Sequence, residues 1–133
     1  MSAKLSFDLV SPERLLFSGA VDMVTLPGAE GEFGVLAGHA PVIALLRPGV
    51  IDIATSGQAS RRIYVRGGFA EVSAKGLTVL ADQAIPVDEI KRAEIEQRLA
   101  TARGDLSDAT TDQARKSAQE VIDQLTDLLA LAA

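Results

Sequence analysis

The residue types best able to do chemistry are few: one histidine, His39, and glycines at 28, 31, 34 and 38 around two carboxylates, Glu30 and Glu32. Ser56, Ser60 and Ser73 stand without a neighbouring base, so a Ser-His-Asp relay would need His39 to find one of them across the fold. A lone imidazole also makes a poor transition-metal centre unless carboxylates supply every other ligand. The glycine run does not read as a phosphate cradle. A P-loop ends in Gly-Lys-Ser or Gly-Lys-Thr and opens a helix, and a dinucleotide fingerprint needs Gly-x-Gly-x-x-Gly. Neither spacing is present, and Glu30 and Glu32 would repel phosphate. Tight β-turns on an exposed loop account better for these glycines. The two acids then read either as solvated loop charge or as a rigid corner offered to a basic or polar partner. Phe33 beside them reads as an anchor for that corner or as a contact residue.

The composition narrows the field further. The chain has 133 residues and 47% apolar content, enough for a buried core. It has no cysteine, which removes disulfides and thiolate chemistry and suits a reducing compartment. The formal charge is −5, and the densest basic spots are the pairs Arg61-Arg62 and Lys91-Arg92, so no nucleic-acid footprint is expected. The start of the chain runs straight into alternating sequence, without the apolar run of a signal peptide. The longest apolar stretch, residues 40–46, is too short to cross a bilayer, so membrane association is expected only through a partner.

The elements that position these residues divide by period. Residues 1–84 read as an all-β domain, with Leu5, Phe7 and Leu9 alternating with polar neighbours and apolar groups recurring at Val21, Met23, Leu26, Val50, Ile51, Ile53, Ile63, Val65, Phe69, Val72, Leu77, Val79 and Leu80. Turn signals fall at Ser11-Pro12, Pro27-Gly28, Pro48-Gly49, Gly67-Gly68 and Gly76. Residues 85–133 read as two helices. Pro86 is placed in the first helical turn, with Asp88 and Glu89 at its positive end, and Ile95, Leu99, Ala102 and Leu106 on one face. Gly104 is expected to interrupt or end that helix, residues 105–111 to connect, and Thr110 with Gln113 to form a capping box. The second helix carries the stripe Ala114, Ala118, Val121, Ile122, Leu125, Leu128, Leu129 and Ala132. Two short helices bury little, so the hairpin is expected to rest on the β-domain or on another protein, and to be able to leave it.

The run Thr25-Leu26-Pro27-Gly28-Ala29-Glu30-Gly31-Glu32-Phe33-Gly34-Val35-Leu36-Ala37-Gly38-His39-Ala40-Pro41 resembles the signature of the epsilon subunit of bacterial and chloroplast ATP synthases, called delta in mitochondria. Further matches follow in family order at Phe7-Asp8-Leu9-Val10-Ser11-Pro12-Glu13, Leu16-Phe17-Ser18-Gly19, Leu46-Arg47-Pro48-Gly49, Gly67-Gly68-Phe69-Ala70-Glu71-Val72 and Thr78-Val79-Leu80-Ala81-Asp82-Gln83-Ala84. The resemblance implies a sandwich of about ten strands and a C-terminal antiparallel helical hairpin. It implies a non-catalytic rotor subunit in the central stalk of a proton-translocating ATP synthase, on the cytoplasmic face of the bacterial inner membrane. The implied partners are the gamma subunit, the polar loops of the c-ring and, through the hairpin, the catalytic beta and alpha subunits. Residue by residue, it implies that Glu32, with Glu30 beside it, faces the ring and that Ser11, His39, Ala40 and Glu71 meet gamma. Leu125 and Leu129 would contact gamma or the catalytic subunits from an extended hairpin.

The alternative implied by the same family is an ATP-sensing brake on hydrolysis. Its nucleotide motif is an aliphatic residue, Asp, two variable residues, Arg and Ala. Here the matching run is Asp88-Glu89-Ile90-Lys91-Arg92-Ala93, which keeps Arg92-Ala93 but puts Asp88 at the aliphatic position and Glu89 at the Asp position. Glu89, Arg92, Arg98 and Arg103 are the candidate ATP-site residues; ordinary solvated helix charge explains them equally well. From residue 105 onward Arg115 and Lys116 face six acids, Asp105, Asp108, Asp112, Glu120, Asp123 and Asp127. That balance opposes docking on an acidic segment of the catalytic subunit, so the hairpin reads as a folded brace.

Overall fold

The computed structural model describes residues 4–132 and divides the chain into two compact units, Met1–Pro86 and Val87–Ala133. The first unit holds eight strands: β1 (Leu5–Val10), β2 (Leu15–Val21), β3 (Met23–Gly28), β4 (Gly31–Leu36), β5 (Val42–Ala54), β6 (Arg61–Ser73), β7 (Gly76–Ala81) and β8 (Ala84–Pro86). They hydrogen-bond in the order β2-β1-β7-β6-β5-β3-β4, with β8 also on β6. All neighbours are antiparallel except β1 and β7.

This sheet closes into a sandwich because its longest strands turn a corner. Pro48-Gly49 and Gly67-Gly68, read above as turn signals, do not end strands. β5 and β6 each run thirteen residues through them, and their pairing keeps one register from Val42↔Val72 to Ile53↔Arg61. The first half of β5 and the second half of β6 join β7, β1 and β2; the other halves join β3, β4 and β8. Counting each long strand once in each layer recovers the expected ten-stranded sandwich from eight continuous strands. Gly68 makes the corner possible. Its φ is +122°, and a Cβ there would lie 2.1 Å from the Leu80 carbonyl oxygen, so no other residue fits.

Alternation does the rest. Leu5, Phe7 and Leu9 of β1, Ile51 and Ile53 of β5, Ile63, Val65, Ala70 and Val72 of β6, and Leu77, Val79 and Ala81 of β7 point into one core with Val21, Val24, Leu26 and Val35. Fully burying side chains of this size stabilises by about 1.5–3 kcal/mol each. In β3 the inward pair is Val24 and Leu26, and Met23 is half-buried, because Asp22 sits between β2 and β3 and shifts the phase. Phe17 packs on Phe7 with ring centroids 5.5 Å apart and carries the Arg61 guanidinium 5.3 Å above its own ring.

Asp22 is also a surface tie. Its backbone N–H donates to the Ala54 carbonyl at 2.9 Å, while its carboxylate accepts from Lys4 Nζ, from the Ser56 N–H and from Ser56 Oγ. Those donors, Lys4 foremost, hold its pKa at about 2, down from 3.8.

The second unit contains a single-turn 3₁₀ segment (Val87–Glu89) and two helices, α1 (Arg92–Asp108) and α2 (Asp112–Leu131). Five local expectations are corrected. Pro86 ends strand β8 opposite Ile63 rather than starting a helix; β8 pairs only with β6, and such an edge accommodates a residue without an N–H. Asp88 and Glu89 accordingly lie in the 3₁₀ segment, not in the first turn of α1. Gly104 lies inside α1, since one glycine costs about 1 kcal/mol and does not break a helix. The connection shortens to residues 109–111, and the cap is Thr111, whose Oγ1 accepts from the Ala114 N–H at 3.0 Å. Ile95, Leu99 and Ala102 of α1 and Ala118, Leu125 and Leu128 of α2 are buried.

A candidate docking face

The first unit carries its exposed apolar residues in a pattern. Register places Leu15 beside Val10, Val10 beside Leu80, Leu80 beside Phe69 and Phe69 beside Leu45, one residue from each of five adjacent strands. Val10, Leu80, Phe69 and Leu45 lie on the outward parity of their strands, next to the core residues Leu9, Val79, Ala70 and Leu46, and the register shift at Leu9/Val10 brings the exposed Leu15 opposite Val10. Leu45 is 70% exposed, Leu15 59%, Leu80 42% and Phe69 39%. Cross-strand neighbours on one face touch, so these side chains form one band across the whole layer.

Its flanks are polar. The next row along reads Ser18, Asp8, Thr78 and Glu71, two residues on in each strand and three on in β2 because of the bulge at Leu9/Val10, with Ser18 Oγ donating to Asp8 at 2.6 Å; only at the β5 end does the row stay apolar, at Ile43. On the other flank the corner brings Gly67 and Asp82 together, the Asp82 N–H donating to the Gly67 carbonyl at 3.2 Å. An apolar strip with polar margins is the anatomy of a protein interface, and solvent alone gives no reason to keep it on a monomer.

Several of the residues singled out in the first unit adjoin the strands of this band. Ser11 follows Val10 but is only 7% exposed, and its hydroxyl is spent on the Arg14 carbonyl at 3.3 Å, so it shapes the turn into β2 and presents little surface. Glu71 is exposed in the polar margin. Glu30 sits at the tip of a two-residue hairpin, with Ala29, between the paired Gly28 and Gly31; Glu32 follows on β4, exposed and opposite Pro27. A Cβ on Gly28 would lie 2.6 Å from the Gly31 carbonyl oxygen and 2.9 Å from the Phe33 ring, so glycine lets Phe33 fold under the corner. Phe33 packs partly on the core, which makes it the anchor of the two readings. The tip is fastened to the band: the Ala29 N–H donates to the Leu45 carbonyl at 2.9 Å.

His39 and the exposed Ala40 lie in the connection before β5. His39 Nδ1 is 2.7 Å from the Ala40 carbonyl oxygen; a carbonyl only accepts, so Nδ1 carries the proton and Nε2 is left for an outside group. Leu125 is buried and Leu129 half-buried. The ATP-site candidates do not converge. Glu89 lies in the 3₁₀ segment before α1, and Arg92 pairs with Glu96 at 3.9 Å. Arg103 is about three turns further along roughly the same side, and Arg98 points well round the helix from both. Among the described residues no three His, Asp or Glu side chains are placed to hold a metal ion, and no helix is long and apolar enough to cross a membrane.

The members of the docking band itself, Val10, Leu15, Leu45, Phe69 and Leu80, were not legible as site residues. The available signal was apolar residues on both parities of one strand, as in Leu45-Leu46, Phe69-Ala70 and Val79-Leu80. A strand with one face in water would alternate cleanly.

The fold alone does not fix a role, and the sequence supplies the assignment to a family. Residues 4–87 match the profile of the family described as ATP synthase, Delta/Epsilon chain, beta-sandwich domain, and the chain belongs to that family. It is 52% identical over 128 residues to the ATP synthase epsilon chain of Parvibaculum lavamentivorans, covering 96% of this chain and 97% of that one. With the epsilon chain of Maricaulis maris it shares 45% over 133 residues, covering 100% and 99%. In three dimensions it is similar to a chain of the Euglena gracilis mitochondrial ATP synthase, solved as OSCP/F1/c-ring, with a TM-score of 0.80, 26% identity, and 96% and 81% of the two chains covered. A chain of the Tetrahymena thermophila mitochondrial synthase shares the fold, with a TM-score of 0.65 at 15% identity over 96% and 98%. Family membership makes this a non-catalytic component of ATP synthase.

Proposed function

We propose that the chain couples rotation of the c-ring to the gamma shaft, binding gamma through the apolar band and meeting the polar loops of the ring through the Glu30–Glu32 hairpin. The band carries this reading: five cross-strand apolar side chains on a solvent-facing layer, rimmed by Glu71 and bounded by the corner. Burial of such a strip supplies affinity, whereas an isolated exposed charge contributes about 0–1 kcal/mol. The acidic hairpin therefore sets orientation and the band supplies the grip. His39 Nε2 and Ala40, beside the band, complete the gamma contact. The subunit sits on the cytoplasmic face of a bacterial inner membrane and is held there by its partners.

The hairpin is read as a brace rather than as a nucleotide sensor. Contact with the beta and alpha subunits through Leu125 and Leu129 requires it to open, because Leu125 is buried in the present form. The net acidity of α2 works against such docking.

Phe69→Glu tests the proposal. It puts a carboxylate inside the band, between Leu80 and Leu45, at a site already exposed, so the fold should survive and gamma affinity should drop at least about tenfold in a pull-down titration. Unchanged affinity with unchanged melting would sink the band as the gamma face. Glu32→Lys should leave gamma binding intact and lower proton pumping driven by ATP hydrolysis in membranes; normal pumping would remove the ring contact from the reading.

A further inference from the structure

Between the acidic hairpin and the first half of β5 lies an open groove of about 490 Å³. Phe33, Ala29, His39, Ile43, Ala44 and Leu45 are among its walls, with Glu30 near its mouth. The groove exists because β3 parts from β5 there. Their ladder shifts register after Thr25 and closes on Gly28↔Leu46, followed by the single hydrogen bond from the Ala29 N–H to Leu45. Residues 42–44 continue beyond that last bond, alongside the hairpin tip instead of paired to it. Gly28, kept bare by the Phe33 ring, lies at the inner end.

Resting on the docking face proposed above, we propose that this groove is the anchor socket of that face and receives one large apolar side chain, aliphatic or aromatic, from the gamma subunit. Three observations point to gamma rather than to a ring loop. Leu45 belongs to both features, being the last member of the band and a wall of the groove, so a partner lying on the band reaches the groove without leaving the surface. Ile43, 70% exposed, stands on the same outward parity and extends the band along the groove's lip. The walls are mainly apolar, which suits a hydrocarbon side chain and not the polar loop expected at Glu32. Interfaces of this kind concentrate affinity in a few side chains that fill pockets near the centre, the surrounding strip serving to exclude water.

Ala29→Phe tests this in the full-length chain. Ala29 is exposed and borders the groove, so a phenyl ring there occupies the socket without entering the core. Gamma affinity is expected to fall at least tenfold, with Ala29→Ser within twofold of the parent. If Ala29→Phe binds gamma as the parent does while Phe69→Glu does not, the socket is wrong and the docking face stands. If neither variant weakens binding, the docking face fails with it. A photo-crosslinking residue at Ile43 in the assembled synthase supplies a readout that does not depend on Ala29→Phe folding. Capture of a gamma peptide through an apolar residue is expected; capture of a c-subunit loop, or of no subunit, overturns the proposal.

Discussion

The two units of this chain solve the same problem, burying apolar side chains, with very different margins. The β unit draws core residues from β1 through β7 and locks them with ladders between residues far apart in sequence, such as Leu9↔Val79 and Ile51↔Ile63. The helical unit buries three side chains from each helix, two of the six being alanines, and satisfies its backbone locally. Local bonding and a thin seam let a unit open by itself; long-range ladders make opening all-or-none. The contrast suits a part that must stay rigid on a rotor joined to a part that is able to change shape.

Substitutions should separate the units in a graded way. Gly68→Ala is expected to do most damage, because its Cβ would overlap the Leu80 carbonyl at a φ of +122°. The β unit should lose several kcal/mol or fail to fold, visible as lost β signal in circular dichroism. An intact β unit in that variant would mean that the corner is not what closes the sandwich. Leu125→Ala should cost about 2–5 kcal/mol but confine the loss to residues 92–131, with hydrogen exchange accelerating in both helices and not in the core strands. Equal acceleration everywhere would show one cooperative body and erase the contrast. The smallest effect belongs to Asp22. Its folded-state pKa of about 2 lies below its ordinary 3.8, so the tie to Lys4 and Ser56 stabilises the β unit fully above 3.8 and is lost as pH falls through 2. Asp22→Asn should remove that part of the acid-unfolding slope and leave the slope of the helical unit alone; an unchanged slope would show that the tie carries no stability.

What was readable in the sequence follows from how local each feature is. The strand-to-helix change of period, the inward face of β1 and most of those of β7 and α2 depend on residues two to four apart and appear as expected, whereas Leu80 of β7 and Ala114 and Val121 of the expected α2 stripe lie exposed. The corner does not depend on neighbours. Pro48-Gly49 and Gly67-Gly68 carry the composition of turns, and only their position opposite one another in an unshifted ladder turns them into a bend shared by two strands. The same limit applied at Pro86, where pairing with Ile63 outweighed its fitness for a helix start. The docking face sits at the far end of this scale. Its five band residues come from five strands, and they become neighbours only through the sheet order.

The shared bend has a mechanical consequence. β5 and β6 cross the corner as unbroken polypeptide, and β7 continues into β8 along the same edge of β6, with the Arg66 N–H bonded to the Gln83 carbonyl at 3.0 Å between them. On the coupling proposed above, torque entering the layer that carries Glu32 would reach the layer that carries Phe69 along peptide bonds in tension, not across a greasy seam able to shear. Twisting one layer against the other would require stretching covalent chain at three adjacent crossings. The sandwich should behave as a stiff bracket, so elastic give in the rotor belongs to its neighbours.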